Sequence, residues 1–426
     1  MSRPGKTGRG GSGLLPHRGT RMITPRSPLY LSHAPTPRVE HFAIIAALEA
    51  GFRGLLLSVM PLIAYRTWTD GQVISGVYLA VGIGSLVIGL MVPFASRFVP
   101  RRWLFTAAGG FYLLSVALAM RGDPVAVAAS LMVKAVGTVT FSVTLSAYVL
   151  DYIARQDLGR NESVRMLFSA ASWTIGPAAG VFLLNWWTPA PFLLAGLFAI
   201  LMTAVFWYLR LGNGKQITKA AGPAANPLAY LGRFSRQPRL IAGWLFAVIR
   251  SCGWWVFIVY LPIFCIEAGL GETVGGVAVS ASNALLFLTP LMLRLVDRVS
   301  VRGAVRGSFA LAGLFFVLAW PVSGWPWLVV ALLVAASVML VMLDVAGSLP
   351  FLMAVKPSER TEMAAVYSSF RDVSGILTPA VAGIVLAVAP VAAVFAACGA
   401  GMWIAWAVAG TLNPRLGRPK GEGAEA

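Results

Sequence analysis

The sequence predicts an all-α polytopic membrane protein, with twelve transmembrane helices in two pseudo-symmetric six-helix bundles. Composition, the lengths of the apolar runs and the placement of basic residues carry that prediction. Of 426 residues, 58% are hydrophobic and 12% charged, where a soluble domain carries roughly 25% charge. A soluble globular chain is therefore excluded. A helix needs about 20 apolar residues to cross about 30 Å of hydrocarbon, and twelve runs meet that length: 42–65, 73–95, 102–120, 124–150, 166–187, 190–209, 240–264, 274–293, 305–321, 327–354, 363–388 and 391–411. The runs are continuously apolar rather than alternating, which favours helices over barrel strands.

The non-membrane segments follow by subtraction. Residues 1–41 form a basic tail rich in Gly, Pro, Ser and Arg, without apolar periodicity, so disorder is expected. The first apolar run begins about forty residues in and has no short apolar core ahead of a cleavage site, which disfavours a signal peptide; Met22 is an alternative start. The expected organisation is 42–209 as the first bundle, 210–239 as a linker, 240–411 as the second bundle and 412–426 as a second tail.

Basic residues sort by loop with a strong bias. Counting loops alternately from the N-terminus, 28 Lys and Arg fall on the side of the tails and only Arg66 and Arg121 on the other. The positive-inside rule then places both termini in the cytoplasm. It also explains the formal charge of +18 as membrane orientation, not affinity for nucleic acid. The membrane is expected to be a bacterial plasma membrane, because Arg greatly outnumbers Lys alongside abundant Ala, Gly and Pro, as GC-rich coding gives.

The linker divides the spans six and six, and a faint duplication accompanies the division. Gly71, Gly76 and Val77 recur as Gly271, Gly276 and Val277; Pro61 recurs as Pro262, Arg97 as Arg298 and Pro177 as Pro379, at offsets of 200–202 residues. Transporter folds are commonly built from such repeats. With its twelve spans, cytoplasmic tails and basic central loop, the chain resembles the major facilitator superfamily. The loop after span 8 carries Leu295-Val296-Asp297-Arg298 with Arg302 behind, similar to that family's Asp-Arg loop signature. After span 2 the signature is eroded, with Ser96 where Asp is expected, but Arg97, Arg101 and Arg102 remain. Gly176-Pro177-Ala178-Ala179-Gly180 in span 5 looks like the Gly-Pro-x-x-Gly run of proton-coupled exporters in that superfamily. The resemblance implies a gating role for Arg97, Arg101, Asp297, Arg298 and Arg302, beside their plain role as positive-inside anchors. For Gly176, Pro177 and Gly180, close helix packing is sufficient explanation.

Ionisable residues inside the spans bear most on function, since a charge at the centre of a spanning helix costs about 2.5–3.5 kcal/mol on insertion scales and so faces a cavity or a partner. Glu49 and Arg53 lie in span 1, Lys134 in span 4, Arg250 in span 7, Asp344 in span 10, and Arg371 and Asp372 in span 11. Spans 3, 6, 9 and 12 carry none, and the resemblance makes those four the lipid-facing supports. Glu49 and Arg53, four residues apart, share a helical face. Asp344 has no cation within one turn and is the candidate for reversible protonation, or for pairing with Lys134 or Arg250. Arg53 and Arg250 occupy equivalent spans and are expected at similar depth, facing one substrate. The slight positive surplus points to an anionic or zwitterionic solute. Trp254, Trp255 and Phe257 in span 7 are candidate pocket aromatics, whereas Trp186, Trp187, Trp325 and Trp327 read as interfacial anchors.

Other classes fare poorly. The loops are short and offer no nucleophile with a base nearby, and Gly-Arg-Gly-Gly-Ser near the start lacks the Lys-Ser/Thr ending of a phosphate-binding loop. Three Cys and three His are scattered, so neither a disulfide framework nor a metal site is expected. The expected function is secondary active transport of a small organic solute by alternating access, as proton-coupled efflux. An uptake symporter or facilitator, or a non-transporting lipid-handling or receptor protein on the same scaffold, is the alternative. The expected partners are substrate, protons and lipid; no cofactor is needed and a monomer suffices. Cysteine-accessibility labelling is expected to place the 210–239 linker and both tails inside the cell and the 66–72 turn outside, and labelling of the linker from outside intact cells would overturn this topology.

Overall fold

The computed structural model describes residues 39–95, 98–152, 158–209, 227–355, 363 and 366–412. Helices α1 (Val39–Trp68), α2 (Gly71–Ala95), α3 (Arg101–Arg121), α4 (Pro124–Tyr152), α5 (Leu158–Trp186) and α6 (Ala190–Tyr208) make up the first half. A short helix, α7 (Pro227–Ser235), leads into α8 (Pro238–Glu267), α9 (Glu272–Ala284), α10 (Thr289–Val299), α11 (Val301–Leu318), α12 (Pro326–Ala346), α13 (Leu349–Ala354), α14 (Phe370–Leu386) and α15 (Val391–Ala409). Among the described residues, eleven segments are long and apolar enough to cross a membrane; two of them, Glu272–Val296 and Pro326–Ala354, are interrupted helices.

The interruptions have local causes. Between α9 and α10, Leu285–Leu288 winds as a 3-10 turn ahead of Pro290, which cannot donate a backbone hydrogen bond. The Leu286 carbonyl, which Pro290 cannot serve, accepts instead from the Thr289 backbone N–H and from the Thr289 hydroxyl, the latter at 2.6 Å. Pro350 similarly follows the break at Gly347 and Ser348. The eleventh span is shorter than the expected 363–388: α14 runs 17 residues as a continuous helix. Just before it, the Ser369 hydroxyl donates to the Val366 carbonyl at 2.7 Å and accepts from the Trp244 indole at 3.1 Å, an alternative to helical pairing. The tryptophans expected at span ends, Trp186, Trp187, Trp325 and Trp327, are all exposed there.

Helix neighbours repeat between the halves. In the first half α1 packs on α5 and α6, α3 on α4 and α6, and α2 on α4; in the second, α8 packs on α14 and α15, α11 on α12 and α15, and α9 on α12. These are the same pairs moved six spans along the chain. Across the halves α2 meets α14 and α5 meets α9, two contacts that exchange when the halves are interchanged, while α1 meets its own equivalent α8. The packing therefore has the pseudo-two-fold symmetry that the faint repeat implies.

Small residues set the closest approaches. A Cβ on Gly176 would come within 2.5 Å of the Gly54 carbonyl carbon, and one on Gly180 would collide with the Leu55 carbonyl oxygen, so α1 and α5 touch backbone to backbone. A Cβ on Gly82 would lie 2.5 Å from the Gly375 carbonyl where α2 crosses α14. Gly180→Leu is expected to destabilise by about 1–3 kcal/mol through overpacking, read as a melting temperature several degrees lower in detergent. Gly110→Leu, where nothing lies within 4 Å, is expected to melt as wild type.

Candidate functional site

Depth along the helices brings the mid-span charges together. At 1.5 Å per residue, Arg53, Arg250 and Arg371 stand about 22–26 Å from the ends of α1, α8 and α14, and Lys134 about 15 Å from the start of α4. All four distances are measured from the same end of the bundle, the one opposite the tails, called here the distal end. Arg53 lies within electrostatic reach of Lys134, and Arg371 within reach of both Arg53 and Arg250. Lys134, Arg53, Arg371 and Arg250 thus form a row that starts in the first half and ends in the second. Arg371 is exposed and the Arg53 side chain retains 35% of its accessible surface. Exposed surface at this depth, among charges converging from four helices, belongs to a polar cleft between the halves rather than to a lipid-facing wall.

Two of the four cations have counter-ions. Arg53 Nη1 lies 3.3 Å from Glu49 Oε1, and the Tyr112 hydroxyl donates to the same oxygen at 3.0 Å. Tyr112 is itself held by Phe52, stacked at 4.1 Å between centroids, and Gly137 leaves room for its ring. In the second half Arg250 Nε lies 3.1 Å from Asp344 Oδ1, and the Trp254 indole donates to Asp344 Oδ2 at 3.0 Å. Arg250 also reaches the Leu343 carbonyl at 3.4 Å, beside the break that ends α12. Arg53 and Arg250, expected to share a substrate, are each joined to an acid. Of the two partners expected for Asp344, it is Arg250 that meets it. Among the described residues the Lys134 and Arg371 side chains make no hydrogen bond or ion pair; Asp372, next to Arg371 in sequence, forms no ion pair with it but lies within its electrostatic reach.

Aromatic rings shelve the guanidinium groups. Arg53 sits 4.7 Å above the Trp173 ring, while Phe370 lies under both Arg250 at 5.4 Å and Arg371 at 5.5 Å. Such contacts hold a cation in place without neutralising it. Toward the distal end, Trp255 meets Tyr78 edge to face at 6.2 Å, joining α8 to α2 below the row. Phe257 is fully buried against Trp254 and backs the site instead of lining it. Tyr78, Tyr112, Trp173 and Phe370 escaped the sequence reading because an aromatic in an apolar span gives no sign of which way it faces.

The distal end joins the halves. Arg66 forks onto both Glu272 carboxylate oxygens, with Nε donating to Oε1 at 2.7 Å, and also donates to Asn185 Oδ1 at 3.2 Å. The Ser75 and Tyr260 hydroxyls pair at 2.8 Å. Ala178 donates its backbone N–H to Ser280 Oγ at 2.8 Å, one residue beyond Pro177. Gly276 faces Pro177 and Val181 across the α5–α9 contact. A pocket of about 220 Å³ beside Arg66, lined by Ile63, Thr67, Met120 and Phe192, lies in the first half alone and away from the charge row. Arg66 carried a sequence signal after all, as one of two basic residues on the sparse side.

The opposite end carries the expected gating residues that are described. Arg302 donates to the Gly410 carbonyl at 2.7 Å, tying α11 to the end of α15, and Arg298 is exposed. Arg101 opens α3. Arg97 and the Asp297 side chain lie outside the described residues.

A helical bundle with a charged cleft between two symmetry-related halves, fastened together at one end, defines a membrane carrier. Residues 42–286 match the family model of the Major Facilitator Superfamily, and the chain belongs to that family. It is a multi-pass membrane transporter rather than an enzyme. A gallate transporter of Pseudomonas putida is 24% identical over 210 residues, 46% of each chain, so the alignment spans about half the length of that relative. The nucleoside transporter NupG superposes with a TM-score of 0.68 at 14% identity, over 88% of this chain and 99% of that one. A bacterial homologue of the iron transporter ferroportin, in its inward-facing state, gives 0.65 at 14% identity, over 87% and 96%.

The Arg66–Glu272 fork is expected to hold the distal end shut. With the native cysteines replaced, a cysteine at the buried position Ser75 is expected to label several-fold faster in Glu272→Gln than with Glu272 intact; equal rates would show that the fork does not restrain this end.

Proposed function

We propose that the protein is a proton-coupled secondary carrier of a small organic anion, with planar aromatic carboxylates as the substrate class. The row Lys134–Arg53–Arg371–Arg250 is the observation that carries this reading. It draws on both halves, at depths of about 15–26 Å from the distal end, and the seven mid-span ionisable groups as a whole leave a slight positive surplus for an anion to meet. The Tyr78–Trp255 pair adds an aromatic surface under the row. The gallate relative, named for an aromatic carboxylate, is in keeping with that class. Alternating access follows from one half rocking against the other about the pseudo-two-fold axis. The bundle division at 210–239, cytoplasmic tails and a bacterial plasma membrane remain part of the proposal.

Coupling is placed at Asp344. Its side chain keeps 31% of its accessible surface and Glu49 only 9%, so Asp344 is the carboxylate that a proton in the cleft reaches. A bound anion adds negative charge beside Asp344 and competes with it for Arg250. Protonating Asp344 releases Arg250 to the anion. By linkage the two ligands reinforce each other, which favours symport of anion with proton over the efflux antiport expected from Gly176–Gly180. Those glycines pack α5 on α1, a duty shared by carriers of either direction. Antiport is the second reading, resting on that motif alone.

In proteoliposomes, radiolabelled benzoate or gallate is expected to accumulate when the outside is made acid, and to be driven out under antiport. Asp344→Asn is expected to abolish the response to the gradient while retaining counterflow exchange. Unchanged gradient-driven accumulation in Asp344→Asn would move coupling elsewhere, and absence of flux for every aromatic acid would overturn the substrate class.

A further inference from the structure

The two arginine–carboxylate pairs are built differently. In the first half both donors converge on one oxygen: Arg53 Nη1 at 3.3 Å and the Tyr112 hydroxyl at 3.0 Å meet Glu49 Oε1, and Oε2 has no hydrogen bond among the described residues. In the second half the donors divide the carboxylate. The Trp254 indole donates to Asp344 Oδ2 at 3.0 Å, while Arg250 Nε lies 3.1 Å from Oδ1. Arg250 and Trp254 are four residues apart on α8, so one helical face grips both oxygens. The Oδ1 contact is an ion pair without hydrogen-bond alignment, since the buried Arg250 Nε has no hydrogen-bond partner among the described residues. Trp254 is fixed edge to face at 6.1 Å against the fully buried Phe257. Other charges on the elements packed around α12 are engaged or stand apart. Arg302 and Arg306 of α11 meet the Gly410 carbonyl and the Trp406 ring, Glu272 of α9 meets Arg66, and Arg294 and Arg298 of α10 are exposed. Arg239 and Glu267 stand at the two ends of α8, and Arg371 shares the Phe370 shelf with Arg250. Among the described residues, Arg250 is the charged group that meets Asp344.

An indole N–H donates and cannot accept. The oxygen it meets is therefore kept as an acceptor, and a proton arriving from the cleft is directed to Oδ1, the oxygen that Arg250 occupies. We infer that Trp254 is a positioning residue for coupling, which makes protonation of Asp344 and release of Arg250 a single event. This rests on the reading of Asp344 as the coupling carboxylate and names the residue that enforces the exchange. In the step, a proton from water in the cleft forms an O–H bond at Oδ1, and Arg250 loses its counter-ion and turns to the anion. Without the indole, Oδ2 takes the proton and Arg250 stays on Oδ1, so a proton binds without freeing a cation. Glu49 already has that second arrangement, with Oε2 open while Arg53 and Tyr112 hold Oε1. The difference gives Asp344, and not Glu49, the means to couple.

Calorimetric titration of the purified protein with benzoate, at about pH 7.5 and about pH 5.5, reads this linkage, because a proton that frees Arg250 tightens anion binding. Wild type is expected to bind about fivefold or more tightly at the acid pH. Trp254→Phe, which keeps a ring against Phe257 but lacks the N–H, is expected to lose most of that difference and to melt as wild type. In proteoliposomes the same variant is expected to retain counterflow exchange while its gradient-driven accumulation falls. A lowered melting temperature with binding weakened equally at both pH values, the mark of a structural role, would overturn the inference. Asp344→Asn separates the inference from the reading beneath it. A pH difference lost in Asp344→Asn but kept in Trp254→Phe would overturn the role of Trp254 alone. A difference kept in Asp344→Asn, or absent from wild type, would overturn the placing of coupling at Asp344 and the inference with it, as would absence of benzoate binding by wild type.

Discussion

Positive charge at mid-membrane depth is the constraint on which the rest of this molecule turns. Cations enter the bundle on α1, α4, α8 and α14, and among the described residues Arg53 and Arg250 are joined to carboxylates by ion pairs. A helix bundle in lipid gains little from burying charge, and each such group weighs against insertion and stability. The scaffold is arranged around that cost: arginines rest on Trp173 and Phe370, and Tyr112 fixes Glu49.

The same charges explain why the halves are fastened at only part of their interface. Like charges facing across the middle push the halves apart, and the named contacts that join them gather toward the distal end: Arg66 with Glu272, Ser75 with Tyr260, Ala178 with Ser280. Glycine makes these crossings tight enough to act as pivots, as where Gly276 receives Val181 and Gly82 meets the Gly375 carbonyl. Because α2–α14 and α5–α9 exchange under the pseudo-symmetry, a rocking motion loads both equally.

Much of the fold was legible in the sequence because bilayer physics leaves few options. Long apolar runs must be helices, and every intramembrane charge is conspicuous against its background. Glu49, Arg53, Lys134, Arg250, Asp344, Arg371 and Asp372 could be picked out for that reason alone. Their partners could not. Arg53 and Glu49, one turn apart, were an expected pair, but whether Asp344 met Lys134 or Arg250 depended on how α8 and α12 rotate about their axes. Aromatic residues were harder still: Phe257 and Trp255 sit two positions apart, and one is core while the other meets Tyr78 across the halves. The interruption near Pro290 and the short α14 were missed because hydropathy reports apolarity, not backbone pairing.

The most direct test of the account is where an anion sits. In crystals of the protein soaked with 4-iodobenzoate, the anomalous iodine signal is expected beside Tyr78 and Trp255, with carboxylate density at one or more of Arg53, Lys134, Arg250 and Arg371. Iodine bound on the lipid-facing surface, with no carboxylate density at any of those four cations, would contradict it.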